Sequence, residues 1–504
     1  MHPALVVGER FDVVVVGGGS AGCVLAARLA EKRSRSVLLL EAGPDPVSGN
    51  SRYSDYYRSR ASDLSATVPG HPLNWAYPAE LARGVDAILP RGRVLGGSSA
   101  INGAYFVRAT RADLDDWAVP GLSYDEALPF YVHSERDLDF VSEDHGDAGP
   151  IPVRRPSGAL EAPTTEPFLA AAAALGFPDE PDKNAGGPPG AGLVPSNVVD
   201  GARVSAADAY LRAQPAEMRT SAVLRPADDA RVHLGGGLTV RTDTPVTSIE
   251  LDRLRAVGVR TASGTVEAGE VVLAAGALAT PRLLMRAGIG PGDTLRDAGI
   301  RVRHDLPVGI GFSDHPAVFL PFRPHETAQP HPHAVTAQVA LHLDSGADPA
   351  GDLELLLFTR PFTPGGPLHV MCALQRPERS GLLTPGRTEH RYLRTEADRR
   401  RLRAAVRIAA DLLRAGLGTR VEPEGFVLGN DTRLDGWIRD HLTSSSHLSG
   451  TAAIGPVCDP ELRVRGTKGL RVVDTSVFPA VPRRGPAASA IMLGERAAAL
   501  RWDV

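Results

Sequence analysis

The chain has 504 residues, more than one compact core supports and enough for two lobes that share an interface where a small ligand can sit. Apolar residues at 43% and charged residues at 23% exclude a disordered or fibrous chain, and a formal net charge of −4 argues against a nucleic-acid partner, which would leave a basic stripe.

Met1 to Arg10 carries neither a basic segment nor a long apolar run, so no leader is expected. Phe11 to Val16 reads as a buried strand, Gly17 to Gly22 as a glycine turn, Ser20 to Lys32 as a helix and Val37 to Leu40 as a second strand. Further on, strands are expected near Leu238–Arg241, Thr247–Leu251, Arg255–Arg260 and Glu270–Ala274, with a helix beginning after Thr280-Pro281. Leu470 to Val473 reads as another strand and Ala488 to Leu500 as a closing helix.

Between these segments the texture changes to Pro/Gly loops such as Pro361–Pro367 and alternating runs such as Val335–Leu343 and Asp352–Phe358, the pattern of an antiparallel sheet. Thr395 can cap a helix with Asp398 three residues on, and Leu402, Val406, Ala409 and Leu413 repeat on one face. The expected fold is therefore α/β: a Rossmann-like lobe assembled discontinuously from residues 1–155, 196–317 and 441–504, and an α+β substrate lobe from 156–195 and 318–440. No stretch approaches the roughly 20 apolar residues that cross a bilayer, which leaves only peripheral membrane contact open. Cys23, Cys372 and Cys458 are scattered without metal-ligand spacing, so no metal is expected; their odd count rules out a complete disulfide framework and fits a reducing cytoplasm.

Gly17, Gly19 and Gly22 fill G-x-G-x-x-G: one glycine for the tight turn, one for close backbone approach to a pyrophosphate, one for helix–strand packing. Ser20 and Ala21 open the helix whose free N–H groups aim at the phosphates. Glu41 ends the second strand where a carboxylate can accept a ribose hydroxyl. A glycine string alone is a weak signal; strand, turn, helix, strand and acid together point to a dinucleotide, FAD or NAD.

Glu41-Ala42-Gly43-Pro44 and the later segments decide for the flavin, because the chain resembles a glucose–methanol–choline (GMC) oxidoreductase from residue 11 to residue 501. Pro90-Arg91-Gly92-Arg93-Val94-Leu95-Gly96-Gly97-Ser98-Ser99-Ala100-Ile101-Asn102-Gly103 is similar to the first family signature and Gly276 to Leu284 to the second. The resemblance implies an FAD site that includes Ala42, Arg93, Gly96, Gly97, Ser98, Asn102, Gly103, Ala104, Val246, Ala275, Gly276, Asp474, Thr475, Pro486 and Ala487. Ile101 stands where some members attach FAD to a histidine, so the FAD is expected to be non-covalent. The family's catalytic histidine lies in an H-x-x-G-T stretch, here His447-Leu448-Ser449-Gly450-Thr451, which implies that His447 takes the hydroxyl proton as hydride leaves for flavin N5. Asp314-His315 reads instead as a structural pair at the lobe junction.

The pattern breaks at Gly485, ten residues before Glu495, where relatives place a second histidine or asparagine. An activated reductant needs less help from a second base than an ordinary alcohol does. Together with Leu138-Asp139-Phe140, His145-Gly146, Gly149 to Arg155 and Arg484 to Ala488, the missing residue resembles the mycofactocin-associated GMC branch. That resemblance implies oxidation of reduced mycofactocin (mycofactocinol), a peptide-derived redox cofactor, with electrons passed to a respiratory acceptor. The alternatives are a GMC alcohol dehydrogenase or oxidase, a non-redox lyase that uses FAD structurally, and a degenerate FAD scaffold.

Overall fold

Residues Val13 to Val16 are consecutive valines, and β-branched side chains favour a pleated, two-sided buried surface. In the computed structural model they form the buried part of β1 (Arg10–Val16), followed by α1 (Ser20–Ala30) and β2 (Val37–Leu40), every residue of which is buried. The structure describes residues 9–32, 34–47, 61, 63–212, 231–234, 237–325, 330–363 and 365–502. Residues 1–8, whose composition argued against a leader, lie outside them.

β1 sits in an eight-stranded sheet built from distant parts of the chain. β2 and β3 (Leu238–Arg241) pair parallel on one side of β1. On the other lie β4 (Val246–Asp252), β5 (Arg255–Thr261) and β6 (Gly264–Leu273), with β6 parallel to β1. The chain then forms α2 (Gly276–Arg286), which starts before Thr280-Pro281 rather than after it. Proline removes the N–H that would bond the Ala277 carbonyl, a loss that usually ends a helix. Here the Thr451 hydroxyl donates to that carbonyl at 2.8 Å, so the helix runs through its proline.

A second, seven-stranded antiparallel sheet contains β7 (Pro316–Pro324), β8 (Ala337–Leu343), β9 (Leu353–Phe358) and β10 (Leu368–Leu374). Side chains alternate across it. Val318, Leu320 and Phe322 pack in one core with Leu402, Val406 and Ala409 of α3 (Glu396–Leu412), which Thr395 caps by accepting from the Asp398 amide at 3.2 Å. Ala317, Phe319, Ala337 and Met371 form a separate apolar cluster on the opposite face. β11 (Leu470–Val472) returns to the first sheet parallel to β6, and α4 (Ala487–Ala499) packs on α1, where Gly494 lets the helices touch: a Cβ there would lie 2.8 Å from that of Val24. The fold is thus α/β with a mixed nucleotide-type sheet, parallel at its centre and antiparallel through β4 and β5, and an antiparallel partner. Among the described residues, no helix is long and apolar enough to cross a membrane.

Candidate active site

The glycine turn after β1 is shaped by contact. Gly17 has φ of +106°, and a Cβ on it would lie 2.5 Å from the Ala274 carbonyl oxygen; one on Gly22 would lie 2.0 Å from that of Gly17. Only hydrogen fits at either place. α1 begins at Gly19 without a side-chain cap, so its first N–H groups are left for an anion. The loop at 96–98 folds over this turn: the Gly96 amide donates to the Gly18 carbonyl at 2.7 Å, and a Cβ on Gly97 would come 2.6 Å from Gly19 Cα.

A cavity of about 1120 Å³ opens between these loops and runs to the antiparallel sheet. Gly17, Gly19, Ser20, Ala21, Glu41, Ala42, Gly97, Ser98, Asn102, Gly103, Val246, Ala275, Gly276, Asp474, Thr475, Pro486, Ala487 and His447 all lie on its wall. Gly22, Arg93, Gly96 and Ala104, read as FAD-site residues from the sequence, are not part of that wall. Arg93 holds its guanidinium over the Trp75 ring, 5.2 Å from the centroid, and Trp75 is the residue that reaches the cavity.

Glu41 accepts the Gly18 and Gly43 amides at 2.9 and 2.7 Å, which fixes its carboxylate at the end of β2. Burial lifts its pKa to about 7 against those hydrogen bonds. Asp474 accepts the Gly276 amide at 2.9 Å and the Thr280 hydroxyl at 2.6 Å, joining β11 to α2. Ile101 is buried on the wall and offers no nucleophile to a flavin. An uncapped helix N-terminus, a strand-end acid and a long cavity together fit an extended dinucleotide.

His447 lines the same cavity. Its position is set by Asp314, a fully buried aspartate whose Oδ1 accepts the backbone amides of His315 and His447 at 2.8 and 2.7 Å. Oδ2 accepts from His390 Nε2 at 3.1 Å and from the Ser444 hydroxyl at 2.6 Å. Burial alone would raise the Asp314 pKa; the His390 hydrogen bond and charges around it hold it well below the carboxylate range. Asp314 is the structural anchor read from the sequence, but His315 is more than that: its Nδ1 lies 2.9 Å from His447 Nδ1. Burial holds the His447 imidazole below its ordinary value, with Asp314 and Glu354 pulling the other way.

His447 Nε2 faces Gly485. A Cβ there would lie 3.3 Å from Nε2 and 3.2 Å from Cδ1 of Tyr105, so the tyrosine ring fills the room of the absent second base. Tyr105 donates to Glu354 Oε2 at 2.8 Å, His342 Nε2 lies 3.0 Å from the same oxygen, and His342 Nδ1 meets Glu180 at 2.9 Å, which pairs with buried Lys183. Although burial alone would raise it, hydrogen bonds from His342 and Tyr105 keep the Glu354 pKa at about 2, an ionised carboxylate on the cavity wall. Sequence reading missed Tyr105 and Glu354, which are 249 residues apart and carry no motif.

Comparison with known proteins agrees with this geometry. The family model described as GMC oxidoreductase matches in two parts, residues 11–317 and 378–494. An uncharacterized GMC-type oxidoreductase of Rhodococcus erythropolis is 37% identical over 97% of this chain and 98% of its own length. An oxygen-dependent choline dehydrogenase of Escherichia coli O157:H7 is 31% identical over 97% and 94%. Among solved structures, pyridoxine 4-oxidase from Mesorbium loti aligns with a TM-score of 0.83 at 27% identity over 97% of this chain and 98% of that one. Formate oxidase of Aspergillus oryzae, at 24% identity and a TM-score of 0.84, shares the fold. With both parts of the family model matched and a relative 37% identical over almost its whole length, this chain belongs to the GMC oxidoreductase family of FAD-dependent enzymes.

Proposed function

We propose that the enzyme is a dehydrogenase that takes a hydride from a small reduced donor, with His447 as the general base and reduced mycofactocin as the donor. The single observation that carries the chemistry is His447 on the cavity wall, one ring nitrogen anchored against His315 and the other, Nε2, turned toward Gly485. FAD, when bound, supplies the hydride acceptor. The chain supplies the rest: Gly17 to Ala21 and Glu41 hold the dinucleotide, Asp474 ties α2 to the loop beneath it, and His447 takes the hydroxyl proton.

The choice of donor rests on Gly485. With Tyr105 in that space and its hydroxyl bonded to Glu354, position 485 offers no imidazole or amide beside His447 Nε2 to share the proton. A quinol-like or enediol-like donor tolerates that better than an unactivated alcohol. Tyr105, Phe319, Phe358 and Trp75 on the wall also suit an aromatic donor. We place the enzyme in the cytoplasm, where three buried free thiols persist, with a respiratory acceptor taking the electrons. A second reading, oxidation of a primary alcohol, is favoured by the choline dehydrogenase relative and by the pyridoxine 4-oxidase neighbour.

Anaerobic stopped-flow absorbance tests both. Bleaching of the purified yellow protein by reduced mycofactocin and not by primary alcohols is the expected result. Bleaching by a simple alcohol would replace the donor with that class, and a flavin that stays oxidised throughout turnover would point to a lyase.

A further inference from the structure

Two histidine nitrogens at 2.9 Å cannot both present lone pairs, nor both present hydrogens; one proton lies between His315 Nδ1 and His447 Nδ1, and its owner decides what His447 can do. If His315 owned it, His447 would carry its own hydrogen on Nε2 and have no lone pair toward the substrate. If His447 owns it, Nε2 is a free base.

The reading of His447 as the base decides the ownership: a base needs its lone pair on Nε2, the nitrogen beside Gly485, which leaves its hydrogen on Nδ1 and makes His315 Nδ1 the acceptor. His315 then carries its own hydrogen on Nε2, which is buried with no hydrogen-bond partner among the described residues. Both rings are neutral at rest: burial pushes His315 down to about 3 and holds His447 below its ordinary value. The other charged groups acting on the pair are Asp314, Glu354 and Arg91, and His390 reaches it only through Asp314.

We infer that His315 is a positioning residue: its Nδ1 accepts the Nδ1 hydrogen of His447 and so holds the catalytic imidazole in the tautomer whose Nε2 is an unprotonated base facing the substrate. The rings stand at 88° to each other, so the acceptor also fixes the rotation of His447 about its side chain. When Nε2 takes the substrate proton, the His447 imidazolium still donates its Nδ1 hydrogen to His315, and no other group has to move. His315 passes no proton on, because its Nε2 already bears one. The inference rests on the reading of His447 as base and adds the residue that keeps it so.

The test combines two variants with one spectrum. His315→Asn keeps an acceptor oxygen near the place of Nδ1; His315→Leu removes it. We expect the Leu variant, with FAD retained, to reduce its flavin at least about tenfold more slowly and with an altered pH profile, and the Asn variant to recover most of the loss. Equal rates for Leu and wild type would overturn the inference, as would an Asn variant as slow as Leu. If the Leu variant does not fold, ¹⁵N histidine NMR of the wild-type holoenzyme decides: a His447 signal protonated at Nδ1 and bare at Nε2 supports the assignment, and the reverse tautomer overturns it. That spectrum needs no substrate, so failure of every donor to bleach the flavin would sink the proposed function while the tautomer still decides the role of His315.

Discussion

Tyr105 occupies the space that a side chain at Gly485 would need: its Cδ1 and Cε1 lie 3.2 and 3.3 Å from where a Cβ on that glycine would sit. The glycine and a ring far upstream in the chain therefore share one space. Gly485→Asn should cost about 1–3 kcal/mol by overpacking, and Tyr105→Ala should relieve that cost in the double variant. Thermal melts of the two single variants and the double one check this; additive losses would mean that the two residues do not share the space.

His447→Ala should retain FAD, because the histidine takes no part in holding Glu41, which is fixed by the Gly18 and Gly43 amides. Its flavin should be reduced on the order of 100-fold or more slowly, the usual contribution of a positioned general base. The check is anaerobic reduction with the donor that bleaches the wild type, and an unchanged rate removes His447 from the mechanism.

Gly17→Val should yield protein purified without flavin. A Cβ 2.5 Å from the Ala274 carbonyl oxygen, on a residue with φ of +106°, forces the turn apart just where the phosphates approach. The ratio of flavin to protein absorbance measures it, with Gly436→Ala as a control, since Gly436 lies away from the cavity wall and a Cβ on it meets nothing within 4 Å.

A buried ion cluster outside the cavity should make stability fall in alkali. His145 Nδ1 lies 3.0 Å from Glu135 and from Asp137, Nε2 lies 2.7 Å from Asp182, and Arg108 and Arg155 complete the charge balance. Burial alone would lower the His145 pKa; hydrogen bonds to Asp137, Asp182 and Glu135 raise it to about 11 from 6.5. A pKa raised on folding gives stability that is complete below the unfolded value and is lost as pH climbs toward the folded one. Tm should therefore decline between pH 6.5 and 11, and His145→Gln should start lower and decline less. A parallel slope in both proteins would assign the alkaline loss to other groups.

Glycines at 17, 19 and 22 with Glu41 were legible in sequence because the βαβ unit closes between Arg10 and Leu40, the scale on which strand, turn and helix preferences act. The start of α2 was misread for a reason no local rule contains: the hydroxyl that rescues Pro281 belongs to Thr451. Asp314 was read as an anchor, but its neighbour His315 was set aside, since nothing in Asp314-His315 says which ring lies beside it.

Sequence alone determined the dinucleotide turn, the βαβ unit around it, the antiparallel character of the second sheet and the histidine in its H-x-x-G-T stretch, all of which follow from short-range pattern and backbone stereochemistry. Only the tertiary structure decided what surrounds that histidine. His315 is 132 residues from His447 and Glu354 is 249 from Tyr105, and such pairs meet because packing two sheets against one cavity buries polar groups that must then find one another.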